Sequence, residues 1–190
     1  MLAILQDAQR VPRIFCDFGA IPPEELREWL RHNALQLPAD LIEFWELTGG
    51  GDIFDCETIY RPTVPSIPNS CFVHDDIESI NAGHTAKGKP SEFYIFHDTG
   101  SEFSAVRLHD QKFVTLSSNY IVRNSFDSLD EWYIRTLRDE YGEMYGLVAS
   151  ETVSAIVETG RSQEKEGGRW SNFFAWLRNG IRGMTFKVRK

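Results

Sequence analysis

Between Glu92 and Asn124 the chain repeats one kind of segment four times. EFYIFH, EFSAVRL, KFVTLSS and NYIVRN are rich in β-branched and aromatic residues, and DTGS, HDQ and SSN separate them. Connections this short leave no room for the crossover that parallel neighbours need, so the segments must pair antiparallel as a meander. Phe93, Tyr94 and Phe96 put aromatics on both faces of the first segment. That pattern suits a central strand covered on both sides.

Helical patterns flank the meander. Ile21-Pro22-Pro23-Glu24-Glu25 opens a helix, with proline in the first turn and two glutamates at the positive end of the helix dipole. Leu26, Trp29 and Leu30 then share a face. In LPADLIEFWELTGGG, Leu41, Phe44, Trp45 and Thr48 line a second helical stripe, and Gly49-Gly50-Gly51 ends it. DIFDCETIY reads as one strand, Arg61 to Pro68 as a proline-rich loop, and Asp75 to Ala82 as a short helix begun by Asp75 or Asp76. Past the meander, Ser128 and Glu131 form a capping box for a helix whose apolar stripe is Phe126, Leu129, Trp132 or Tyr133, and Leu137. The expected fold class is α+β: a single antiparallel sheet of about five strands with helices packed around it. Residues 1–20 read as an irregular lead-in, 21–141 as the domain, and 142–190 as an extension. The extension's ETGRSQEKEGG is linker-like, and its RWSNFFAWLRNGIRG is a basic amphipathic helix expected to dock on the acidic body.

Composition narrows the setting. The chain has 190 residues, 42% hydrophobic and 25% charged, which suits one folded domain with an appendage. MLAILQDAQR lacks the basic and apolar regions of a signal peptide, and no apolar run approaches the ~20 residues of a membrane span. Cys16, Cys56 and Cys71 are odd in number and widely spaced, so neither a disulfide framework nor a zinc site is expected, and a cytoplasmic setting is. Of the 20 Lys/Arg and 28 Asp/Glu, eight and two fall in residues 160–190. The first 159 residues therefore carry 12 against 26, a net of −14, which repels nucleic acid and attracts basic proteins.

Three sharper motifs resolve into scaffolding. Asp98-Thr99-Gly100-Ser101 spells the aspartic-protease signature, but that chemistry needs two carboxylates close enough to force one pKa upward, and the chain has a single DTG. The same four residues are ordinary turn vocabulary. GHTAKGKP nearly spells a P-loop, yet Pro90 stands where a hydroxyl should hold Mg²⁺, and a flexible basic loop is expected. His74-Asp75, His97-Asp98 and His109-Asp110 are poor chelates, because neighbours on a strand face opposite ways; they read as solvated strand-end loops. No G-x-S-x-G elbow or cysteine signature supports a nucleophile.

LPADLIEFWELTGGGDIF (Leu37 to Phe54) resembles the opening motif of the SUKH superfamily: Leu-Pro, an aromatic-bearing helix, a glycine stop, then a strand. FYIFHDTGSEFSAVRL, KFVTLSS and NSFDSLDEWYIRTL resemble the strand, loop, strand, strand and closing helix that follow, over Ile21 to Tyr141 with inserts in Thr58 to Pro90. DTGS takes the place of the family's Asp/Gly-rich loop, with one glycine where many relatives have more. The resemblance implies a non-enzymatic binding protein without cofactor or metal. Bacterial members are largely immunity proteins that neutralise toxin domains of competing cells, and fungal members regulate cell-wall synthesis. The expected partner is a cognate toxin domain, with a basic nuclease fitting the charge, and an intracellular scaffold or adaptor is the alternative. Acidic residues near strand ends are the expected contacts: Asp52, Asp55, Glu57, Glu102 and Asp110.

Overall fold

In a computed structural model of the chain, residues 1–65 and 76–147 are described. The elements in order are α1 (Ala3–Arg10), β1 (Phe15–Asp17), α2 (Pro23–His32), α3 (Ala39–Thr48), β2 (Gly51–Ile53), β3 (Glu57–Ile59), α4 (Ile77–Ala86), β4 (Phe93–Asp98), β5 (Glu102–Arg107), β6 (Lys112–Ser117), β7 (Val122–Phe126) and α5 (Leu129–Tyr133). α5 continues through a π-helical turn (Ile134–Arg138), a last α-turn (Asp139–Tyr141) and a 3₁₀ turn (Gly142–Tyr145). The strands form one antiparallel sheet whose spatial order is the chain order, β1 to β7. This is the α+β class that the meander implies.

The sheet has seven strands rather than about five, for two reasons. DIFDCETIY is a hairpin, not one strand: β2 turns at Phe54-Asp55-Cys56 into β3. Phe15–Asp17 adds an edge strand too short to show any alternation. Nor is the N-terminal stretch irregular, since α1 forms with its free Ala3 N–H capped from far away by Asp130 Oδ1 at 2.7 Å. α4 also runs one turn past Ala82, so Gly83 to Ala86 of the P-loop-like stretch is helix, not loop. Its start agrees with the aspartate expected there, as the Asp76 side chain accepts from Ser79 N–H.

The glycine stop after α3 works through backbone conformation. Gly49 takes the left-handed cap at φ 68°, and a side chain on Gly50 (φ 98°) would lie 2.6 Å from the Ile59 carbonyl. Leu41, Phe44, Trp45 and Thr48 are all buried, as their spacing predicts, and so are Phe126, Leu129, Trp132, Tyr133 and Leu137. Register places His97, Ser104 and Thr115 on one face of the sheet and Asp98, Phe103 and Leu116 on the other. Trp132 of α5 stands on Phe96 and His97, whereas His84 of α4 stands on Phe103. The two helices therefore cover opposite faces, and β4 is the fully flanked central strand. The proposed C-terminal helix and most of the 142–190 extension lie outside the described residues.

Candidate functional site

Three connections converge at one end of the sheet: the β2–β3 hairpin tip, the DTGS loop between β4 and β5, and the β6–β7 turn. The β2–β3 tip belongs there because β3 pairs with β4 at Ile59 and His97, near the C-terminal end of β4. The helical rod that starts at α5 delivers Tyr141 and Tyr145 to the same place.

The hairpin tip carries uncommon backbone. Phe54 (φ 54°) and Asp55 (φ 60°) are consecutive left-handed residues, as a type I′ turn requires, where Asn-Gly would be the usual choice. An aromatic nest holds Phe54 in place. Its ring lies 6.3 Å from Tyr133, 5.5 Å from Tyr141 and 5.2 Å from Tyr145. Tyr145 Oη donates to the Phe54 carbonyl (2.8 Å) and reaches Asp55 Oδ2 (3.0 Å), and the Arg13 guanidinium lies over its ring.

Beneath the tip runs a row of buried polar groups. Glu57 Oε2 lies 2.9 Å from His97 Nε2, Tyr141 Oη donates to Glu57 Oε1 at 2.6 Å, and His97 Nδ1 lies 3.1 Å from Ser104 Oγ. Thr115 sits next in register and accepts from Asn124 Nδ2 at 3.0 Å. Burial opposes ionisation of Glu57, but the bonds from His97 and Tyr141 outweigh it and hold its carboxyl below the ordinary 4.5. Serine, histidine and carboxylate are thus together, as in a nucleophilic triad, but His97 is 0% and Ser104 2% exposed, closing them to substrate in this conformation. The expectation that His97 is solvated is corrected: it is core, because a buried carboxylate and a serine satisfy both ring nitrogens.

Around this row the surface is acidic. Burial and the Glu57 charge push the Glu140 carboxyl up, and Glu102 adds to the effect. The same two causes, in the same order, raise the Cys56 thiol, which leaves it a poor nucleophile. DTGS itself is a turn. Asp98 Oδ1 accepts from Gly100 N–H, Thr99 Oγ1 accepts from Glu102 N–H (3.1 Å), and Gly100 has φ 81°. The side chain that faces Asp98 Oδ2 is His84, whose Nε2 lies 3.5 Å away.

The five expected contact residues separate. Asp52 is exposed on β2 and accepts from Thr58 Oγ1, Asp55 is exposed at the hairpin tip, and Glu102 is exposed at the start of β5. Glu57 is 5% exposed and committed to His97 and Tyr141, so it offers no surface charge; alternation along a three-residue strand turns it inward. Asp110 lies beyond the opposite end of β5, about 17 Å of strand away from Glu102. There Arg107 grips it with two bonds and lowers its carboxyl to about 2. Glu140, Tyr141 and Tyr145 join the site from a region where the sequence signals only a helix end. Among the described residues no group of three His, Cys, Asp or Glu side chains could hold a metal ion.

No family model matches the chain, and no curated protein matches it. A crystal structure of a protein from Pseudomonas syringae pv. tomato is similar over 70% of this chain and 96% of that one, at 16% identity and a TM-score of 0.49.

Proposed function

We propose that this chain is a non-enzymatic binding protein of the SUKH type, an immunity protein that neutralises a cognate toxin domain by seating it on the acidic loop end of the sheet. The observation that carries the reading is the convergence of Asp55, Glu102 and Glu140 at that end, in a body of net charge −14 over residues 1–159. Asp52 belongs with them through the same hairpin, whereas Glu57 supports the surface from below and Asp110 lies outside it. A basic partner, such as a nuclease domain whose own cationic groove binds phosphates, would be steered onto such a surface and its groove blocked. Two exposed free thiols, Cys16 and Cys56, suit a reducing cytoplasmic setting. No described helix is long and apolar enough to cross a membrane.

The test is capture of the tagged chain's partners at low salt, followed by elution with rising salt. One stoichiometric basic protein with a toxin domain, lost from a variant carrying Asp55→Lys and Glu102→Lys, is the expected outcome. A spread of unrelated partners that the double variant still retains would overturn the reading.

A further inference from the structure

His84 is 6% exposed, and both its ring nitrogens are engaged. Nε2 lies 3.5 Å from Asp98 Oδ2 at the start of the DTGS loop, and Nδ1 lies 3.1 Å from Tyr120 Oη in the β6–β7 turn. The ring stands edge-on to Phe103 at 4.4 Å, and Tyr120 stacks on Phe103 at 5.5 Å. One side chain of α4 thus ties two of the three connections at the loop end to the helix. Tyr120 Oη also lies 3.3 Å from the His84 carbonyl oxygen, which gives its single proton two possible acceptors.

We propose that His84 is a proton-operated clasp on the loop end: as neutral imidazole it donates from Nε2 to Asp98 and accepts the Tyr120 hydroxyl proton at Nδ1, and on protonation it donates to both. The balance is simple. Solvent supplies one proton to Nδ1, and the Tyr120 hydroxyl turns its own proton onto the His84 carbonyl, leaving its oxygen to accept from Nδ1–H. Every polar atom keeps a partner in both states, so the heavy atoms need not move. The charge does change, because the imidazolium cancels Asp98 at the mouth of the DTGS loop. The groups that face His84 are Asp98 from β4, Phe103 from β5 and Tyr120 from the β6–β7 turn, with Lys87 and Lys89 at the end of its own helix. Burial, and to a lesser degree the two lysines, lower the His84 pKa, while Asp98 opposes them. The clasp therefore closes ionically only in mild acid. It is a property of this chain alone and stands whatever partner the loop end binds.

Long-range ¹H–¹⁵N spectra of the imidazole rings in the full chain test this. At pH about 8 the expected pattern is His84 Nε2 protonated and Nδ1 bare and hydrogen-bonded, with a titration midpoint below the ordinary imidazole value of about 6.5. Asp98→Asn moves the midpoint down further, by about half a unit or more, and Tyr120→Phe shifts the Nδ1 resonance toward an unbonded nitrogen. A proton on Nδ1 at pH about 8, or a midpoint at or above the ordinary imidazole value of about 6.5, overturns the proposal from the wild-type spectra alone.

Discussion

Phe54 and Asp55 hold left-handed backbone that costs each of them energy, and they keep it because Tyr133, Tyr141 and Tyr145 enclose the Phe54 ring. Phe54→Ala should lower the unfolding free energy by about 3–5 kcal/mol in urea titration, since it removes a buried aromatic that also pins the turn. Asp55→Gly should fall within about 1 kcal/mol of wild type, as relief of the left-handed strain offsets the lost Tyr145 bond. Glu57 gives a pH signature. Its folded pKa lies below 4.5, so its contribution is complete above that value and is lost as pH falls through the lower folded pKa. Glu57→Gln should flatten this acid limb of the stability curve, measured as the urea midpoint against pH. At neutral pH it should cost about 1–3 kcal/mol, because the amide cannot replace both charge-assisted bonds. None of these roles was legible locally: Phe-Asp gives no turn signal, and a glutamate in a short strand looks like surface.

At the scale of elements, the structure manages helix ends and strand edges by reaching across the chain. Asp40 in the first turn of α3 accepts from Leu129 N–H at the start of α5, and Asp130 in α5 accepts from Ala3 N–H in α1. The capping box at Ser128 forms only in part. Ser128 Oγ accepts from Glu131 N–H as expected, but Glu131 Oε2 takes the Asp127 N–H instead of that of Ser128. β4 is treated in the same way. Where β3 ends, the Asn81 side chain of α4 both donates to and accepts from the Ile95 backbone (2.8 and 2.9 Å), standing in for a missing strand. Asn81→Leu should strip that cover, leave two buried backbone groups unpaired, and cost about 1–3 kcal/mol for each. Native-state hydrogen exchange reads the effect directly: the Ile95 amide should lose protection while amides on the β5–β6 pair keep theirs.

For the molecule as a whole, charge and topology act together. A sheet whose strands lie in chain order brings every second connection to the same end, so the β2–β3, β4–β5 and β6–β7 turns gather there without long crossovers. Carboxylates on the first two of those turns, Asp55, Asp98 and Glu102, then add into one field. The association rate with the proposed basic partner should fall about tenfold or more between low salt and 0.5 M, with dissociation changing much less, as stopped-flow measurement would show. What the sequence determined by itself was the meander, the amphipathic helices and the acidic body, because alternation, helical spacing and net charge are local or summed quantities. Only the tertiary structure decided that Glu57 and His97 are core, that DIFDCETIY bends, and that Tyr141 joins the site. Burial of a polar group depends on a partner distant in the chain (Glu57 and His97 are joined only through the sheet), and no local pattern encodes which partner will arrive.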